Sequence, residues 1–161
     1  MDIIEGTASA KGFRFALVVS KFNDFVTDRL QAGAIAALTA AGAAPDAITV
    51  VRVPGAFEIP LAAQHAARSG AFDAVVCLGC LVRGETAHFE YIASAMSHGI
   101  TTAAAATGIP MTFGVLTTNS VEEAIERAGE GPSNKGWEAA VAAAEMVAVV
   151  AQLVHTVPPP R

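Results

Sequence analysis

Four short apolar runs recur along this chain, each closed by polar or glycine punctuation and followed by a helix-forming stretch, and that alternation leaves few folds open. Phe13 to Ser20 (FRFALVVS), Ile48 to Val53, Asp73 to Val82 and Met111 to Thr117 have the length and composition of buried strands. Helices are expected over Asp24 to Ala41, from about Glu58 to Ser69 with Pro60 in the first turn, and from Glu85 to about Thr107. A short one capped by Asn119 or Ser120 should reach Ala128, and a last one should run from about Asn134 to Val154 after the loop Gly129 to Ser133. Residues 1–12 read as an N-terminal arm and 155–161 (HTVPPPR) as a loose tail, so the chain reads as a single domain over 1–161. Serial β-α units predict an α/β three-layer sandwich: a four-stranded parallel sheet, helices on both faces and right-handed crossovers.

Hydrophobic residues make up 53% of the chain and charged residues 16%, against about 25% charged in an average soluble domain. Either a membrane or partner chains must cover much of such a surface. The most apolar window, Ala139 to Val154, is shorter than the usual ~20 residues of a span and carries Glu145 and Gln152. The N-terminus shows no basic region followed by an apolar one, so neither a membrane span nor a signal peptide is expected. With 10 basic and 15 acidic residues the chain lacks the basic footprint of a nucleic-acid binder. Burial in a homo-oligomer accounts best for the low charge.

Cys77 and Cys80 form a CxxC, but inside an apolar run of strand character, where residues three apart point to opposite faces. No second cysteine pair exists to complete a zinc set, so both are expected to be packing residues in a reducing cytoplasm.

In a parallel sheet every strand's carboxyl end lies on one edge, and ligands bind there. The polar and aromatic punctuation falls at those ends: Lys21, Phe22 and Asn23, then Pro54 to Glu58, then the turn Arg83 to His88. The segment LGCLVRGETAHFE, Leu78 to Glu90, is a strand that ends in a glycine turn and opens a helix, which presents unpaired amides to an anion. His88, placed about one turn in, adds a group able to move a proton near neutral pH. A plain loop with a solvated histidine has the same pattern. No GxGxxG or GxxxxGK[ST] occurs, and no Ser-His-Asp or metal-ligand set stands out.

With these residues in view, the chain resembles the 6,7-dimethyl-8-ribityllumazine synthase family, which has a flavodoxin-like sheet. The similar segments are KFND at Lys21, VPGAFEIP at Val53 to Pro60, LGCLVRGETAHFE, FGVLTT at Phe113 to Thr118, and ERAG with NKG at Glu126 to Gly129 and Asn134 to Gly136. The resemblance implies a transferase that needs neither metal nor organic cofactor. It condenses 5-amino-6-(D-ribitylamino)uracil with 3,4-dihydroxy-2-butanone 4-phosphate in riboflavin biosynthesis. It further implies His88 as the proton-transfer residue, and Phe22 as the stacking face for the pyrimidine. Ala56, Phe57 and Glu58 would hold the ribityl hydroxyls, and backbone groups of Cys80, Leu81 and Val82 the ring edge. The amides of Glu85 and Thr86, the Thr86 hydroxyl and Arg127 would take the phosphate, and Lys135 the pyrimidine oxygens. Phe113 stands about four residues, ~13 Å, before the carboxyl end of its strand. If it touches ligand, it does so in a neighbouring subunit, with Arg127 and Lys135 crossing the same interface. Family members form pentamers, some of them twelve to an icosahedral shell, and the short Gly129 to Ser133 loop favours a shell here.

Each residue also has a plainer use: Phe22 and Phe57 as core aromatics, Arg127 as a helix-end charge, and Glu122, Glu123 and Glu126 as a solvated helix face. His65, His98 and His155 read as surface or packing residues. The chain departs from the family pattern at Lys21, Asn119, Glu123 and Trp137, the last adding bulk near the expected site. The main rival is a non-catalytic flavin- or lumazine-binding or shell-forming relative. A flavodoxin-like electron carrier lacks support, because Lys21-Phe22-Asn23-Asp24 is too bulky to wrap a phosphate.

Overall fold

A computed structural model describes residues 1–156 of the chain. Apolar residues on both faces of β1 (Phe15–Ser20) and β3 (Ala74–Val82) put these strands in the middle of the sheet, where each residue up to Leu81 is buried. β2 (Ile48–Val53) and β4 (Met111–Thr118) carry exposed positions and form the two edges. All pairings are parallel and the strand order is β2-β1-β3-β4, the flavodoxin-like arrangement.

Helices cover both faces. Leu17, Val76, Leu78 and Cys80 point to the side of α1 (Asp24–Ala40), α4 (Val121–Arg127) and α5 (Lys135–Thr156). Val18, Val75, Cys77 and Leu81 point to the side of α2 (Ile59–Arg68) and α3 (His88–Thr107). On that second face Gly79 leaves room for Ile59, since a Cβ there would stand 3.1 Å from the isoleucine Cδ1. The two cysteines thus occupy opposite cores, as strand geometry requires.

Several boundaries differ from expectation. β1 begins at Phe15, leaving Phe13 outside it, and α2 begins at Ile59 after a 3-10 turn over Ala56–Glu58. The third helix starts at His88 rather than Glu85, because Gly84 to Ala87 run as an exposed connection. His155 and Thr156 are helical rather than loose, with the Thr156 hydroxyl donating to the Gln152 carbonyl at 2.6 Å. The rest of the expected tail, 157–161, lies outside the described residues.

At 22 residues α5 is, among the described residues, the one helix long and apolar enough to cross a membrane. Here Gly136, Ala139, Ala140, Ala143, Ala144 and Val147 form a helical stripe buried against α1 and the sheet. Asn134 starts this helix and ties it down. Its Oδ1 accepts from the amides of Gly136 (2.8 Å) and Trp137 (3.2 Å), while Nδ2 donates to the carbonyls of Gly129 (2.8 Å) and Arg29 (3.2 Å).

Candidate functional site

The strand order reverses between β1 and β3, so loops leaving those strands part and open a crevice at their carboxyl ends. The chain builds the crevice walls in three steps. After β1, the amides of Lys21 and Phe22 donate to the carbonyls of Val53 (2.8 Å) and Pro54 (3.1 Å), which holds the first loop against the second. Asn23 then adopts a left-handed conformation (φ 61°), and its Nδ2 donates to the Cys80 carbonyl at 2.9 Å. Asparagine tolerates that conformation better than most residues. After β3, Gly84 to Ala87 lead into α3 across the opposite rim.

The result is a cavity of about 640 Å³ lined by Phe22, Asn23, Pro54, Gly55, Ala56, Phe57, Glu58, Leu81, Val82, Gly84, Thr86, His88, Phe89 and Ile92. Eight of the thirteen residues named from the sequence (His88 and twelve binding candidates) therefore line one cavity: Phe22, Ala56, Phe57, Glu58, Leu81, Val82, Thr86 and His88. Phe22 is 69% exposed and Phe57 61%, so neither is a core aromatic. Both present ring surface where a flat ligand can lie. The connection 84–87 is exposed, and among the described residues the amides of Gly84, Glu85, Thr86 and Ala87 make no hydrogen bond. The Thr86 hydroxyl accepts a long bond from the His88 amide (3.4 Å). His88 is the first residue of α3 and not a turn in, which places its side chain at the cavity rim.

Two other named residues stand apart. Glu85 is not on the cavity wall, and the Cys80 side chain points into the opposite core while its carbonyl accepts from Asn23. Burial pushes the Cys80 thiol up to about 11 and the Cys77 thiol up to about 12, so neither is a thiolate at neutral pH. Among the described residues no group of three or more His, Cys, Asp and Glu comes together as a ligand set.

Phe113, Arg127 and Lys135 are not in this cavity. They line a second cleft of about 560 Å³ along the open edge of β4, beside Glu138 of α5. The register pairs Phe113 with Cys77 and Thr118 with Val82, which puts Phe113 five residues, ~17 Å, short of the carboxyl edge. Arg127 Nη1 donates to the Glu123 carbonyl at 3.1 Å, and Lys135 Nζ pairs with the Glu138 carboxylate at 2.8 Å. That carboxylate offsets the unfavourable position of a lysine at a helix start.

The sequence reading gave no role to Phe89 and Ile92, which also line the wall. It placed Asn23 at this edge without a role, although an asparagine directly between a strand and a helix is where left-handed turns occur. Trp137 lies elsewhere than expected. It lines a groove with Arg29, Gly33, Gly129 and Glu130 on the α1 side, away from both clefts. Glu123 is more than a solvated charge, since its carboxylate accepts from the Asn119 amide at 3.0 Å while Ser120 caps α4.

The chain is similar to known proteins along nearly its whole length. A family model described as 6,7-dimethyl-8-ribityllumazine synthase matches residues 12–151. A protein of that name from Desulfatibacillum aliphaticivorans is 52% identical over 150 residues, covering 93% of this chain and 97% of its own. Another, from Syntrophus aciditrophicus (strain SB), is 52% identical over 151 residues, covering 94% and 98%.

Proposed function

The chain belongs to the 6,7-dimethyl-8-ribityllumazine synthase family, and from that premise we propose how its two clefts carry out the condensation. The enzyme joins 5-amino-6-(D-ribitylamino)uracil to 3,4-dihydroxy-2-butanone 4-phosphate in riboflavin biosynthesis. The pyrimidine's amino group attacks the ketone and loses water to give an imine. Phosphate leaves, the resulting enol becomes a ketone, and the ribitylamino nitrogen closes the second ring with loss of a second water.

The observation that carries this reading is the single cavity holding an exposed aromatic face, free loop amides and a histidine. Phe22 stacks on the pyrimidine. The backbone at Ala56 and Phe57 and the Glu58 carboxylate take the ribityl hydroxyls. Backbone groups of Leu81 and Val82, with the second lone pair of the Cys80 carbonyl, read the ring edge. The phosphate sits on the amides of Glu85 and Thr86 and on the Thr86 hydroxyl. The Glu85 carboxylate, off the cavity wall, stays clear of that charge. His88 moves protons between the nitrogen, the departing phosphate and the enol.

Phe113, Arg127 and Lys135 complete the site from a neighbouring copy of the chain. Three observations support this: their separate cleft, the open edge of β4 that it follows, and exposed apolar side chains such as Leu61 (65%) and Tyr91 (76%). Arg127 brings a guanidinium to the phosphate and Lys135 a charge to the pyrimidine oxygens. A closed ring of five copies, and twelve such rings in a shell, is the assembly proposed. The two buried, unpaired thiols suit a cytoplasmic setting.

An absorbance assay with both substrates tests the assignment. The native oligomer should form lumazine, and His88→Ala should slow turnover by roughly 10²-fold without abolishing binding. Tight binding of both substrates with no product above the uncatalysed rate would remove the synthase reading.

A further inference from the structure

The connection that bears the loop amides and His88 has almost no anchors of its own. Its residues are exposed, its amides are unpaired among the described residues, and its one internal bond is 3.4 Å long. Such a segment is held by what surrounds it. Resting on the function proposed above, we propose that Arg83 is the positioning residue for this connection, joining its entry to its exit and so setting where the amides and His88 stand.

The geometry centres on one guanidinium. The Arg83 amide donates to the Thr118 carbonyl at 2.8 Å, fixing the residue at the end of β3 against the end of β4. Nε donates to Asn119 Oδ1 at 3.0 Å, and Nη1 donates to Glu90 Oε1 at 2.7 Å. The guanidinium carbon stands 4.7 Å from the centroid of the Phe89 ring. Phe89 and Glu90 directly follow His88 in the first turn of α3, so the side chain spans the connection from just before its first residue to just beyond its last. Only a planar fork can serve Asn119, Glu90 and the Phe89 face together; a lysine ammonium cannot. The Arg83 and Glu90 side chains are 47% and 61% exposed, so their pairing adds little to global stability. Its effect falls on local placement, and a small displacement of reacting groups is costly in rate.

The test uses steady-state kinetics on the assembled protein, varying each substrate, for Arg83→Ala, Arg83→Lys, Glu90→Ala and the double alanine variant. Arg83→Ala should raise KM for the butanone phosphate about tenfold and lower kcat several-fold, with KM for the pyrimidine changed by less than about twofold. Glu90→Ala should shift the same constants in the same direction, the double variant should be no worse than Arg83→Ala, and lysine should not rescue. Additive effects, or a defect in Arg83→Ala with none in Glu90→Ala, would overturn the proposal in favour of direct phosphate contact. An equal rise in both KM values would overturn it in favour of general disruption. A second readout does not depend on catalysis: amide exchange at Tyr91 and Ile92 in the ligand-free protein should quicken in Arg83→Ala. Unchanged exchange sinks the positioning role even if the native chain proves to make no lumazine.

Discussion

Cys77 and Cys80 sit three residues apart on β3, and strand geometry sends one into each core. What looks like a redox motif is two packing residues with thiols raised to about 12 and about 11 by burial. Native protein at pH 8 should therefore resist thiol-specific reagents until denaturant is added, and prompt labelling of the native chain would contradict the burial. The same shifts give alkaline stability a sign. Unfolded thiols ionise near 9.0 while the folded ones hold their protons, so unfolding becomes easier from about pH 9 up to about pH 11 for Cys80 and about pH 12 for Cys77. Denaturant midpoints for the native chain and for Cys77→Ala with Cys80→Ala, compared across that range, check this: the variant should lose less stability as pH rises. The cysteine placement was legible in the sequence because a period of two depends on nothing distant. Arg83 was not legible. Asn119 lies 36 positions away, and only the pairing of Val82 with Thr118 brings it alongside.

At the scale of elements, the tightest junction is the crossing of α1 and α5. A Cβ on Gly136 would collide with the Leu30 carbonyl, and one on Gly33 with the Asn134 amide. Asn134 uses both amide protons and both lone pairs at this crossing, across a separation of 105 residues to Arg29. Asn134→Ala should cost roughly 2 kcal/mol through a lost cap and the lost bonds to two part-buried carbonyls. Gly136→Ala should cost about 3 kcal/mol, because a backbone carbonyl cannot move aside as a side chain can. Chemical denaturation of the two variants measures both, and values near zero would mean the helices do not cross as described. The strand positions could be read from apolar runs bounded by turn residues, and β2 has the expected bounds. The start of α3 could not. Glu85 and Thr86 are good helix-start residues, yet Gly84 to Ala87 run as an exposed connection and the helix begins only at His88.

For the molecule as a whole, the candidate site residues of each chain fall into two separated sets. One holds Phe22, Glu58, Thr86 and His88, the other Phe113, Arg127 and Lys135. The division was partly legible beforehand, since Phe113 stands well before the end of its strand. Which edge stays open was not, because strand order depends on how the crossovers pack. An isolated chain would expose the β4 edge, Phe22, Tyr91 and Phe113 to water, the kind of surface that a second copy buries.

The most direct measurement of this account mixes two defective variants. His88→Ala spoils the first set and Arg127→Ala the second, and each alone should be severely slowed. Unfolded together and reassembled at equal amounts, they should regain about a quarter of native activity, because a shared site is intact whenever an Arg127→Ala subunit supplies the first cleft and a His88→Ala neighbour the second. Activity no greater than the average of the separately reassembled variants would mean that each site is built within one chain, and the shared active site would have to be given up.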